Sequence, residues 1–237
     1  MKQKAPIDDR LLQYKFPETQ EKKLNNGLTV IVIERPVVPK IYFRLALNVG
    51  EKYDPPEMEG AFEMMARLLK KGTEKRSYSE IVEAIDFAGG MLEANSSKDF
   101  CYVYGEFLKE HSDLALNLLS EVVMHPLFLP EELEKERAKM IAELENEKSS
   151  PAFLAQRQMD NALYFPHPYA RFKTKDSLQR ITRQALEELH QQYFAPQNAF
   201  LAIGGDLTFK QIMNQLENKC SSWRERESNI SEIEPPA

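Results

Sequence analysis

The chain has 237 residues and a net charge of −6, with 42% hydrophobic and 29% charged residues, ample apolar content for the core of one large domain or two small ones. The acidic balance leaves no basic footprint for nucleic acid, and no apolar run approaches the ~20 residues of a membrane span. Cys101 and Cys220 are the only cysteines, too few for a disulfide framework or a cysteine zinc cluster.

Residues 1–20 are polar with scattered apolar positions and read as a lead-in arm without a signal-peptide pattern. A hairpin is expected over 21–34. Asn25-Asn26-Gly27 is its tight-turn signal, and the β-branched run 28–33 reads as a strand buried on both faces. Residues 41–47 read as a second strand. Residues 60–71 read as a short helix: Ala61, Met65, Leu68 and Leu69 share one side, and Glu63, Arg67, Lys70 and Lys71 the other. Gly72 stands where a left-handed C-terminal cap is expected. Ser77 and Glu80 form a capping box opening the next helix, which stops at Gly89-Gly90. Strands are expected over 91–96 and 100–108, joined by a polar turn at Ser97-Lys98-Asp99.

An amphipathic helix over 112–123 and a heavily charged one over 131–148 follow. A further helix starts after Ser149-Ser150-Pro151 and runs to about Leu163. Another spans from Thr182 or Arg183 to a point before Pro196. A strand over 199–203 and a helix over 209–220 come next. Residues 228–237, with Pro235-Pro236, read as a linker. The expected class is α+β, a mostly antiparallel β-sheet packed against several α-helices, with one domain over 21–227.

The order of these pieces resembles the first half-domain of the insulinase, pitrilysin and mitochondrial-processing-peptidase family. Asn26-Gly27-Leu28-Thr29-Val30 resembles its opening hairpin, and Gly60-Ala61 with Lys71-Gly72-Thr73 the two ends of its catalytic helix. Gly89-Gly90 and Ala94 resemble its next strand. Pro126, Phe128, Glu136-Arg137 and Glu143 resemble its long ligand-bearing helix. His167-Pro168-Tyr169, Ile181-Thr182, Tyr193, Pro196, Asn198-Ala199 and Gly204-Gly205-Asp206 resemble its final third.

That resemblance implies a half-domain of processing-peptidase type. Active members are zinc endopeptidases with an inverted H-x-x-E-H motif. Two His four residues apart bind the metal from one helical face, and the Glu acts as general base on the bound water. Anchored on Gly72-Thr73, the motif positions fall on Glu63, Ala66 and Arg67. The two His become a carboxylate and a guanidinium, and the base becomes a methyl. Glu143 corresponds to the surviving ligand, and Glu136, seven residues earlier, to a supporting carboxylate. Glu93, with Ala94 and Asn95 beside it, marks the strand that pairs with extended peptide in the family; Glu93 stands where the family usually has Asn. Glu110-His111 looks like the tail of a shifted motif but lacks the first His, and His125, His167 and His190 are far apart in sequence.

The expectation is therefore a non-catalytic peptidase-like module without zinc, which is the cofactor of active relatives. Its expected partners are a second copy or an active homologous subunit, and unfolded peptide. An active zinc peptidase with an altered ligand set and a scaffold subunit without peptide handling are the alternatives. A solvated helix face with an i, i+4 ion pair accounts for Glu63 and Arg67 without any of these. If Glu143 faces the helix at 60–71, Arg67 is expected within salt-bridge reach of it, with Glu63 or Glu136 as second partner.

Overall fold

A computed structural model describes residues 16–226 and 233–234. The arm expected over 1–20 and the linker over 228–237 thus fall mainly outside the described residues. Six strands form one sheet: β1 (Gln20–Lys23), β2 (Thr29–Glu34), β3 (Lys40–Leu47), β4 (Met91–Ser96), β5 (Cys101–Leu108) and β6 (Ala199–Gly205). Their spatial order is β1-β2-β6-β3-β5-β4. β6, last in sequence, is inserted between the first hairpin and β3. It runs parallel to β2 and antiparallel to β3, while the other neighbouring pairs are antiparallel. The expected mostly antiparallel α+β sheet is present, with one parallel pairing that no local signal announces.

Among the described residues eight helices accompany the sheet: α1 (Ala61–Leu68), α2 (Tyr78–Phe87), α3 (Ser112–Met124), α4 (Pro130–Glu147), α5 (Pro151–Tyr164), α6 (Lys175–Arg180), α7 (Arg183–Tyr193) and α8 (Phe209–Lys219). Period-2 alternation assigns the faces of the sheet. In β3, Ile41, Phe43, Leu45 and Leu47 enter the core while Tyr42 and Arg44 are exposed. In β2, Val30 and Val32 are buried, but Ile31 and Ile33 are only partly so. The expectation of a strand buried on both faces is therefore corrected, because the core helices pack against one side of the sheet.

α1 is more deeply set than its charged residues suggest. Ala61, Phe62, Met64, Met65, Ala66 and Leu68 are all buried, so only a narrow strip carrying Glu63 and Arg67 reaches the surface. Its start is held from outside the helix. The buried Asp54 carboxylate accepts the amides of Gly60 and Phe62 at 2.7 and 2.9 Å, serving donors that a helix N-terminus leaves unpaired. At the other end the helix stops at Leu68, and Gly72 is not its cap. Gly72 has φ +142°, and a Cβ there would come within 3.1 Å of Leu129. The glycine thus permits a close approach to the start of α4.

α2 opens with the expected capping box between Ser77 and Glu80. α4 buries Leu133, Glu136, Met140 and Leu144 along one stripe at helical spacing, and this stripe places Glu136 among apolar neighbours. α6 and the parallel register of β2 and β6 are the elements that periodicity did not reveal.

Candidate functional site

α1 and α4 pack side by side, and their charged residues meet at the rim of the contact. Arg67 Nη2 lies 2.7 Å from Glu143 Oε2 and 2.7 Å from Glu63 Oε1. Its Nη1 is 3.8 Å from Glu136 Oε2. Lys71, one turn after Arg67, approaches Glu136 Oε1 at 3.1 Å and stands over the ring of Tyr78 at 4.2 Å. Lys173, from the segment before α6, closes the cluster at 2.6 Å from Glu63 Oε2. Three carboxylates thus alternate with three cations across α1, the residues just after it, α4 and a distant loop.

Burial grades the members. Glu136 is 7% exposed, and a carboxylate at that depth persists only when paired. Arg67 and Glu63 are half-buried, whereas the Glu143 side chain is 37% exposed. The Arg67 hydrogen bond holds Glu143 below its ordinary carboxylate range. Burial works against the charge on Arg67 and on Lys71. The carboxylates of Glu143 and Glu63 nevertheless hold Arg67 above its usual value, and Glu136 does the same for Lys71. Ala66 is buried and carries only a methyl.

The other expected site residues lie nearby but apart. Glu93, Ala94 and Asn95 belong to β4, which ends the sheet. Glu93 pairs with Lys70 at 2.5 Å, and the same ammonium donates to the Leu92 carbonyl at 3.2 Å. The histidines are dispersed. His190 is buried and meets the Val123 carbonyl at 2.8 Å. The His167 ring accepts the Tyr169 amide. His125 lies 3.4 Å from Glu74 and His111 lies 3.7 Å from Glu110. Among the described residues no three His, Cys, Asp or Glu side chains form a group able to hold a metal. Both cysteines are buried and unlinked.

Sequence reasoning missed Lys173 and Asp54. Lys173 lies 110 positions from Glu63 in the chain, and no spacing rule joins residues so far apart. Asp54 sits in a loop whose Pro55-Pro56 signals only a turn.

Comparison with known proteins agrees with this architecture. The pattern described as "Insulinase (Peptidase family M16)" matches residues 29–175, and that described as "Peptidase M16 inactive domain" matches 180–237. The fold and the two matches together define a peptidase-like α+β domain, and the chain belongs to the insulinase family, peptidase family M16. An "Uncharacterized zinc protease" of Rickettsia felis is 26% identical over 209 residues, 87% of this chain and 51% of that protein. A "Non-peptidase homolog YmxG" of Helicobacter pylori is 27% identical over 191 residues, 80% of this chain and 44% of that protein. A crystal structure of a peptidase M16 inactive domain from Pseudomonas fluorescens superposes with a TM-score of 0.85 at 24% identity, covering 93% of this chain and 54% of the other; this likeness is one of fold. The chain spans about half the length of the curated relatives it matches.

The chemistry of the Arg67 cluster is that of ion pairs, not of an open set of metal donors. Arg67 has no lone pair to offer a metal, and its guanidinium lies between the carboxylates that would otherwise be free to ligate. Each of those carboxylates already has a cation: Glu63 has Arg67 and Lys173, Glu136 has Lys71 and Arg67, and Glu143 has Arg67.

Proposed function

We propose that this chain is a non-catalytic, peptidase-like domain that supplies chamber wall and peptide contacts beside an active zinc-peptidase chain or half. The observation that carries the reading is the guanidinium of Arg67 bonded to both Glu63 and Glu143. A motif position that binds metal in active relatives here carries a fixed positive charge. The position of their general base is the Ala66 methyl, so no group there could activate a water.

Peptide contact is proposed for the Glu93–Asn95 stretch. β4 is an edge strand, and an edge offers unpaired backbone groups to an added strand without any need for cleavage. The proposed partner is a second copy or an active homologous subunit.

The purified chain is expected to hold no stoichiometric zinc and to leave unfolded polypeptides uncut. Elemental analysis and a fluorescent-casein assay check both. Close to one zinc per chain, removed together with hydrolytic activity by a chelator, would instead establish an active enzyme with an altered ligand set. Failure to bind any unfolded peptide, alone or with a homologous active subunit, would favour the scaffold reading.

A further inference from the structure

β4 lies at the edge of the sheet beside β5, and Gly105 on β5 shows which way its backbone groups point. A Cβ on Gly105 would come within 2.6 Å of the Met91 carbonyl oxygen, so that oxygen points into the ladder with β5. Along an antiparallel strand the backbone groups of successive residues alternate between the two sides. Those of Leu92, Ala94 and Ser96 therefore face outward, and a strand added to the sheet has to pair with them. The first of these positions is already occupied. The Leu92 carbonyl accepts a hydrogen bond from Lys70 Nζ at 3.2 Å, and the same ammonium lies 2.5 Å from Glu93 Oε2.

Lys70 is held at this position by its neighbours in the chain. It is the second residue after α1. Leu69 before it is buried, and Lys71 after it is tied to Glu136 and stands over Tyr78. With both neighbours anchored, only the flexible four-carbon stem of Lys70 is left to swing. Its ammonium has three donors, of which Glu93 and Leu92 take two. Adjacent strands run about 4.8 Å apart, so Nζ at 3.2 Å from Leu92 O stands within the space of an incoming backbone. Lysine at a strand edge is a common protection against unwanted pairing. Here the lysine is fixed in place by a carboxylate from the very strand it covers.

We propose that Lys70 and Glu93 form a latch over the β4 edge, and that an extended peptide pairs with Leu92 only after the Lys70 ammonium has swung away. The latch rests on β4 being the peptide site and adds a built-in brake to it. Lys70 is the blocking group, and Glu93 is a positioning residue that acts through Lys70. The Lys70 side chain is 23% exposed and that of Glu93 45%, so salt screens their attraction. An uncharged peptide should therefore bind this chain better at high salt than at low, the reverse of charge-driven association.

The test uses the full 237-residue chain and an uncharged peptide of about eight residues of alternating Thr and Val, capped at both ends and carrying a neutral coumarin. The control is the same peptide with its backbone amides N-methylated, which cannot donate to a strand edge. Affinity is read by fluorescence anisotropy. Lys70→Met keeps the length of the side chain without its charge and should tighten binding by roughly fivefold to tenfold, the effect of about one hydrogen bond. Glu93→Gln, which loosens the ammonium, should tighten it less, and the two together no more than Lys70→Met alone. Raising salt from about 0.05 to about 0.5 M should strengthen binding to the natural chain but not to Lys70→Met. The latch is overturned, and β4 as the peptide site survives, if the peptide binds through its amides while both variants leave affinity unchanged or weaken it. Equal binding of the N-methylated peptide, or no binding by any of the chains, overturns β4 as the peptide site and the latch with it. Circular dichroism checks that each variant is folded; if Lys70→Met is not, Glu93→Gln and the salt series on the natural chain decide.

Discussion

Asp54 and His190 are buried titratable groups whose environments push stability in opposite directions as pH changes. Burial pushes the Asp54 carboxyl up from 3.8 to about 7, against the pull of the Phe62 and Gly60 amides. Between those values the folded state binds more protons than the unfolded one, so this group lowers stability as pH rises from about 4 to about 7. Burial, with the ring set between Phe128 and Phe194, lowers His190 from 6.5 to about 4. Here the unfolded state binds more protons, so stability falls as pH drops from 6.5 towards 4. Each effect is on the order of 3–4 kcal/mol, and over the shared window they oppose each other. Urea unfolding across pH 4–7 should therefore show a shallow dependence for the natural chain. Asp54→Asn should uncover a rise of stability with pH, and His190→Gln a fall. Two variants with the natural profile would mean that neither group titrates as described.

At the scale of elements, the α1–α4 contact combines an apolar stripe with a charged rim. Arg67 reaches carboxylates on both helices, and Lys71 holds the buried Glu136. Removing Arg67 leaves Glu143 and Glu63 without their shared partner, although Lys173 still serves Glu63. Arg67→Ala should cost about 1–3 kcal/mol, between the values for exposed and for fully buried pairs. The midpoint of denaturant unfolding at unchanged slope measures it. A shift indistinguishable from zero would show that the rim contributes nothing to the contact. The same geometry makes a gain-of-function test possible. Glu63→His, Ala66→Glu and Arg67→His together would replace the guanidinium by two imidazoles one turn apart and facing Glu143. The folded triple variant should bind zinc by calorimetry where the natural chain does not. If it folds without binding zinc, α4 does not present Glu143 as a ligand.

At the scale of the whole molecule, the sheet order decides what each surface can do. Insertion of β6 between β2 and β3 puts Ala202 and Gly204 mid-sheet and leaves β4 at an edge. The first leaves a groove on the open face of the sheet, and the second gives the strand proposed to take peptide. Most elements behind this arrangement were legible from local chemistry. Ser77 with Glu80 marked the start of α2, Asn26-Gly27 the first hairpin, and the run 41–47 a strand. The resemblance set Glu63, Ala66 and Arg67 at the motif positions, and a carboxylate, a methyl and a guanidinium there were readable from residue type alone. What lay beyond sequence was everything that depends on distant segments meeting. The parallel register of β2 with β6 joins residues some 170 positions apart, and no periodic pattern encodes such a pairing. The burial of α1 was underestimated because Phe62 and Met64 find their partners only after the sheet, α4 and α7 have closed around them. Lys173 at Glu63 and Asp54 at the start of α1 are likewise tertiary facts. Local propensity and side-chain chemistry determined the elements and the chemistry missing from the motif. Only the packing of long-range partners, whose energy exists solely in the closed fold, decided which charges neutralise one another and which face of the sheet stays open.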